Sequence, residues 1–250
     1  MITSHDIGQT GQIDVETRAR QSQGSSSNPV YEMVARVLAK RHPGGGVLVD
    51  VGCGAGKLSS FVCGFGAPLQ EHRCDRPKGE NPQAHRYIGV DAVRYDGFPA
   101  EAEFIPLDLD AGKVPLADAF ADVVCAVETI EHLENPRAFV RELVRLTKPG
   151  GLVVVTTPNQ LSLLSKLTLV LKNQFNAFQE APGLYPAHIT ALLEIDLIRI
   201  FTECGLTDIQ TDFTNHGRLP FTPWHWPKSL GFRGRAFSDN VLCIGLKPKV

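Results

Sequence analysis

His132 is the side chain in this sequence best suited to take a proton from an attacking nucleophile near neutral pH. It closes Val127-Glu-Thr-Ile-Glu-His-Leu133, directly after an almost wholly apolar run, Ala121–Val127, that reads as a buried strand. Earlier in the chain, Val47-Leu-Val-Asp-Val-Gly-Cys-Gly-Ala-Gly-Lys-Leu58 reads as a strand entering a glycine-rich turn. Gly52, Gly54 and Gly56 stand at every second position, where side chains would keep a ligand off the main chain. Asp50 places a carboxylate beside that turn, which would repel a phosphate and suit an ammonium group. Asp91 ends a second short strand, Arg86–Asp91, and an ionised carboxylate there can accept two neighbouring hydroxyls at once. Asp108 and Leu109 follow a third strand, Glu103–Pro106.

The elements that must position these groups alternate between strand and helix. Asn28-Pro29 starts a helix with Val30, Val34, Val37 and Leu38 at helical spacing, and Pro43-Gly-Gly-Gly46 stops it. A helix is expected over Lys57–Cys63, then a polar, proline-containing insertion over 64–85. Asn135 caps a helix to Thr147 whose inner face is Phe139, Val140, Leu143, Val144 and Leu146. Lys148-Pro-Gly-Gly151 launches a fifth strand, Leu152–Thr156. A helix over Thr190–Cys204 and strands over Asp208–Phe213 and Asn240–Leu246 complete the order. Such alternation predicts an α/β domain on a mostly parallel sheet, with ligands at the carboxyl ends of the strands.

The glycine pattern is G-x-G-x-G, not the G-x-G-x-x-G of dinucleotide-binding folds, which disfavours a dehydrogenase. Glycine turn, strand-end acids and element order together resemble class I S-adenosylmethionine (SAM) dependent methyltransferases over roughly residues 30–246. The Glu-His-Leu pattern with Asn135-Pro136 and Lys148-Pro-Gly-Gly151 is similar to a small-molecule branch that includes the ubiquinone-pathway O-methyltransferases. The resemblance implies a Rossmann-like seven-stranded sheet with helices on both faces and an antiparallel last strand beside the fifth. It implies that Asp50, Gly52, Cys53, Gly54, Gly56, Asp91, Ala92, Asp108, Leu109 and Glu128 hold SAM and its product S-adenosylhomocysteine. Within that set Asp91 takes the ribose and Asp108 the adenine amino group, Asp110 being placed at the surface. Asp91 lies 35 residues beyond Gly56, against roughly 20 by analogy, and the proline-rich insertion accounts for the excess if it loops out.

His132 then stands where the methyl group would emerge, as an unassisted base or as a structural or substrate-orienting residue. Glu128-x-x-Glu131-His132 also resembles a metal-assisted variant in the same pathway and in small-RNA 2′-O-methyltransferases, with His188 the candidate second histidine. Such a set suits Mg²⁺, Mn²⁺ or Zn²⁺. The same spacing occurs across the branch where no metal is implied, so a metal is not favoured. The expected acceptor is an oxygen, ahead of nitrogen or carbon, of a small molecule or glycan-type precursor. The alternatives are a non-catalytic SAM-fold binding module and a metal-assisted RNA 2′-O-methyltransferase.

Composition narrows the classes. A net charge of −2 over 250 residues, without a basic stripe, argues against a nucleic-acid partner. No apolar run reaches the ~18 residues of a membrane span and no signal-peptide core is evident, so a cytoplasmic location is expected. Six scattered cysteines without a C-x-x-C pair fit a reducing compartment. Cys63, His72, Cys74 and His85 match no usual zinc spacing. Residues 1–28 are polar and expected to be a flexible tail, with the methyltransferase domain over 29–250. Lid insertions are expected at about 157–190 and 213–238. In the first, Leu161–Lys172 reads as an amphipathic helix with Leu161, Leu163, Leu164, Leu167, Val170 and Leu171 on one face. That helix would serve as a hydrophobic lid, a peripheral membrane foot or a packed element. The second carries His216, Arg218, Phe221, Trp224, His225, Trp226, Arg233 and Arg235, suited to sugar, aromatic or phosphate groups.

Overall fold

A computed structural model describes residues 19–22, 24–42, 45–62, 86–181, 185–220, 222 and 224–249. The insertion expected over 64–85, the zinc-spacing question about Cys63, His72, Cys74 and His85, and Phe221 lie outside the described residues. Seven strands form one sheet: β1 (Val47–Val51), β2 (Arg86–Asp91), β3 (Glu103–Pro106), β4 (Ala121–Val127), β5 (Thr147–Pro158), β6 (Thr207–Phe213) and β7 (Asn240–Leu246). Their spatial order is β3-β2-β1-β4-β5-β7-β6. The first five pair in parallel, and β7 runs antiparallel to both β5 and β6. The order reverses between β1 and β4, which pair at Leu48↔Val123 and Asp50↔Cys125, and ligands of open α/β sheets bind at such a switch point.

Strand parity sorts the core into two apolar clusters. Val49, Val51, Val124, Ala126, Val153 and Val155 face α2 (Pro136–Leu146) and α4 (Glu194–Glu203), where Leu143, Leu146, Leu197, Ile200 and Phe201 close the layer. Leu48, Val123, Cys125 and Val154 face α1 (Asn28–Arg41) through Val30, Met33, Val34 and Leu38. Asp50 shares the parity of Leu48, so its carboxylate points under α1 rather than toward α2. Helix α2 begins where the sequence says it should: Pro136 occupies the first turn, and the Asn135 side chain accepts from Ala138 N at 3.0 Å. A cap of this kind contributes about 1 kcal/mol.

Two local expectations change, and one left open is narrowed. The helix after the glycine turn is only one 3₁₀ turn, Lys57–Ser60. Helix α4 starts at Glu194, because Ile189 N and Thr190 N instead donate to the Glu131 carbonyl, both at 2.9 Å. Helix α3 (Leu163–Lys172) forms with Ser162 as its cap, but its orientation is the reverse of a packed element. Ser165 and Thr168 turn inward, whereas Val170 is 82% exposed and Leu171 65%. The buried polar residues of this stretch find one another. The Ser165 hydroxyl donates to the Gln160 side chain, and the Thr168 hydroxyl donates to the Ser165 carbonyl.

Candidate active site

The carboxyl ends of β1, β2 and β4 converge on one cavity. At its floor the chain leaves β1 through Gly52 and Gly54, whose φ angles are +78° and +51°. A Cβ on Gly52 would lie 2.3 Å from the Thr129 side chain, and one on Gly54 2.1 Å from the Gly24 carbonyl oxygen. Both positions therefore require glycine for space as well as conformation. Gly54 N donates to Asp91 Oδ2 at 2.8 Å and Val93 N to Oδ1 at 3.3 Å, so the turn and the end of β2 hold each other. Burial raises the Asp91 pKa above its ordinary value, against the lowering effect of these amides.

Asp50 is buried beside this turn. Tyr87 donates its hydroxyl to Asp50 Oδ2 at 2.5 Å, while Oδ1 has no hydrogen-bond partner. Burial, with Asp91 nearby, pushes the Asp50 carboxyl up to about 7. A buried carboxylate oxygen left unsatisfied and facing a cavity calls for a donor from a ligand.

At the end of β4 the backbone takes a conformation rare for a residue with a side chain: Glu128 has φ +51°. Its N–H donates to Thr156 Oγ1 at 2.9 Å, and its carboxylate accepts from Thr156 Oγ1 at 2.8 Å and Asn240 Nδ2 at 2.7 Å. Burial pushes this carboxyl up to about 7. A 3₁₀ turn, Ile130–His132, then aims the next groups. His132 Nδ1–H donates to the Ala187 carbonyl and His188 Nδ1–H to the Ala177 carbonyl, both at 2.9 Å. Carbonyls accept only, so in each neutral ring Nε2 carries the lone pair. The rings lie 4.7 Å apart, centroid to centroid. Burial and the neighbouring His132 lower the His188 pKa to about 4. Glu131 is 0% exposed and its Oε2 accepts from Thr157 Oγ1 at 3.1 Å, whereas Oε1 has no hydrogen-bond partner and lies 4.0 Å from His188 Nε2. Burial and the nearby Glu128 carboxyl raise its pKa well above the ordinary range.

The cavity gathers Asp50, Gly52, Cys53 and Gly54 from the first motif, with Asp91 and Ala92 from the second. Leu109, Glu128, His132 and His188 line it from the other side. Two expected residues are elsewhere. Gly56 caps the 3₁₀ turn against Phe98 and Pro99, outside the cavity lining. Asp108 is also outside the lining; its Oδ1 accepts from Asp110 N at 2.9 Å in a local turn, and Asp110 lines the cavity in its place.

Sequence reasoning missed Ser22, Gly24, Ser25 and Ser26, which line the cavity although they fall inside the expected tail. Ala55 N donates to the Gly24 carbonyl at 2.8 Å, Ser26 N donates to the Tyr31 hydroxyl at 2.8 Å, and the Tyr95 hydroxyl donates to the Ala19 carbonyl. A polar stretch satisfied by main-chain bonds carries no apolar periodicity, so nothing in composition marks it. Conversely, among the described residues of the two expected lids only His188 reaches the cavity lining. In the second, Arg233 pairs with Asp212, Arg235 with Glu194 and Arg218 stands near Asp239, so these guanidinium groups are engaged within the chain.

This fold, with a glycine turn and strand-end acids around one cavity, is that of a class I methyltransferase. The methyltransferase-domain family matches residues 27–211, and the chain belongs to that family, whose cofactor is SAM. A Mycolicibacterium smegmatis protein named "Probable S-adenosylmethionine-dependent methyltransferase" is 31% identical over 72% of this chain and 64% of its own length. The chain therefore spans less than two thirds of that relative. A Burkholderia pseudomallei ubiquinone biosynthesis O-methyltransferase is 28% identical over 73% of each chain. Among solved structures, an Archaeoglobus fulgidus SAM-dependent methyltransferase superposes with a TM-score of 0.56 at 17% identity, covering 94% of this chain and 100% of that one. This last likeness is one of fold.

Proposed function

We propose that the protein transfers the methyl group of SAM to an oxygen of a small molecule or glycan-type precursor. The observation that carries this reading is the unpartnered Oδ1 of Asp50, buried in the same cavity as Asp91 and His132. In it, Asp50 Oδ1 accepts from the ammonium of the methionine tail. Asp91 accepts from the ribose hydroxyls, and Leu109 with Asp110 lies against the adenine. Cys53, Ala92 and the glycine turn supply close main-chain surface between these groups. Glu128 braces the tail end through its bonds to Thr156 and Asn240.

Bound there, SAM supplies a methyl carbon on a cationic sulfonium. His132 Nε2 would take the proton of the acceptor hydroxyl as that oxygen received the methyl group, the electron pair of the carbon–sulfur bond going to sulfur. The Ala187 carbonyl keeps His132 in the tautomer this requires. Positioning supplies much of the rate in such a displacement. The test uses SAM carrying a radiolabelled methyl group with a fractionated metabolite extract. Label should enter the small-molecule fraction, and His132→Ala should cut turnover by about 10²- to 10⁴-fold. Label confined to RNA, or undiminished turnover in the variant, would overturn the reading.

A second reading has its own observation: Glu131 Oε1 is buried without a hydrogen-bond partner, and ligand atoms of Glu131, His132 and His188 lie within 4.8 Å of one another. These residues fit a divalent ion, with both imidazoles oriented by main-chain carbonyls as ligating histidines usually are. Glu128 falls outside the set, because its carboxylate serves Thr156 and Asn240. Such an ion would bind the acceptor's oxygen and acidify it. Turnover unchanged after exhaustive chelation would dismiss this reading.

The exposed Val170 and Leu171, with Lys166 and Lys172 on the same helix, support a peripheral membrane contact for α3. Among the described residues no helix is long and apolar enough to cross a membrane.

A further inference from the structure

Between β6 and β7, residues 217–219 and 224–226 pair as the arms of a small hairpin. Arg218 and His225 form an antiparallel bridge, Leu219 N donates to the Trp224 carbonyl at 2.8 Å, and Trp226 N to the Gly217 carbonyl at 2.9 Å. The hairpin brings three ligating residues together that are up to 23 positions apart in sequence: His216 at its root, His225 on its return arm, and Asp239 at the entry to β7. The two imidazole centroids are 3.8 Å apart, and His216 Nδ1 lies 3.9 Å from Asp239 Oδ2. One ligand atom from each of the three falls within a 4.8 Å span. Donors around one tetrahedral ion stand roughly 3.3–3.6 Å apart, so side-chain rotation of about 1 Å closes the set.

We propose that His216, His225 and Asp239 bind a divalent transition-metal ion, Zn²⁺, Ni²⁺ or Cu²⁺, that fastens the hairpin to the start of β7. Two imidazoles and one carboxylate favour these ions over Mg²⁺ or Ca²⁺, which prefer all-oxygen sets. The main chain already prepares the set. Asp239 N donates to the His216 carbonyl at 2.9 Å, and Asp239 Oδ1 accepts from Arg218 N at 3.2 Å, which fixes the carboxylate with Oδ2 toward His216. Arg218 Nε stands 3.8 Å from the same Oδ2, at the edge of ion-pair range, and the ion would take over its role. None of the three ligands lines the cofactor cavity, so this site is separate from Glu131, His132 and His188. It is nevertheless connected to that cavity, because Asn240, the residue after Asp239, holds the Glu128 carboxylate.

The chain carries its own probe: its two tryptophans, Trp224 and Trp226, flank His225. In tag-free protein, Cu²⁺ should quench tryptophan fluorescence saturably at one ion per chain, reversed by a chelator and displaced by Zn²⁺. His188→Ala should leave this unchanged, since it removes only the other candidate cluster. His225→Ala, at an exposed position, should weaken it by at least ~10-fold. Zn²⁺ should also slow hydrogen exchange of the Leu219 and Trp226 amides. Equal quenching in His225→Ala, or none at stoichiometric Cu²⁺, would overturn the site. Binding without amide protection would overturn the fastening.

Discussion

If Asp50 receives the ammonium of the cofactor, affinity should fall as pH drops through the titration of its carboxyl. Burial pushes the Asp50 carboxyl up to about 7 in the ligand-free protein, and it must be ionised to pair with an ammonium. The amino group of the ligand's zwitterionic amino-acid tail stays protonated through neutral pH. The dissociation constant of S-adenosylhomocysteine should therefore rise about eightfold from pH 7.4 to pH 6. Complex formation should release about 0.9 proton at pH 6 and about 0.3 at pH 7.4, both from Asp50. Titration calorimetry in two buffers of different ionisation enthalpy reads both quantities. Asp50→Asn should abolish the acid limb and weaken binding at pH 7.4 by about 10- to 150-fold, the cost of losing a charge-assisted hydrogen bond. Glu128 titrates in the same window, so persistence of the acid limb in Asp50→Asn would transfer the role away from Asp50. The ligand-free protein offers an independent check. A carboxyl whose folded pKa lies above its unfolded one stabilises fully below about pH 4, and that contribution is lost as pH rises through about 7. Asp50→Asn should therefore raise the melting temperature relative to the parent more at pH 8 than at pH 4. Equal effects at the two pH values would refute the electrostatic argument even if binding changed.

Two further outcomes follow from the geometry. Asp91→Asn should weaken S-adenosylhomocysteine by about 10- to 150-fold if Asp91 accepts from the ribose. In that variant a 2′-deoxy analogue should lose little further affinity, whereas a full additional loss would place the ribose elsewhere. Gly54→Ala should free Gly24 and the residues after it, 25–26, from the glycine turn, because its Cβ would lie 2.1 Å from the Gly24 carbonyl. Faster hydrogen exchange at Ala55, whose N–H that carbonyl accepts, with the core unchanged, is the expected readout. Unchanged protection there would show that the segment is held by other contacts.

The parts of this molecule that the sequence disclosed are those governed by periodicity. Strands β1, β2 and β4 appear at the expected residues because buried parallel strands must be apolar on both faces, and five to seven such residues between turn signals leave one reading. The acids at their ends were legible for the complementary reason. A carboxylate in or at the end of an apolar run has no role in the core, so Asp50, Asp91 and Glu128 read as one site from the sequence, and they line one cavity with His132. What failed was governed by sums of local hydrogen bonds. Asp108 and Asp110 differ by two residues in one short turn, and which of them faces the cavity depends on the Asp110 N–H closing onto Asp108 Oδ1. Helix α3, left open between a lid, a membrane foot and a packed element, is more instructive. Its leucines mark a helix correctly, yet Ser165 and Thr168 face inward, because they complete a buried hydrogen-bond group with Gln160 and Asn176 that an apolar face could not satisfy. Hydrophobic patterning presumes that the apolar side of a helix is the inner one. Where a buried polar group needs donors and acceptors, the presumption inverts, and the apolar face is left for something outside the domain.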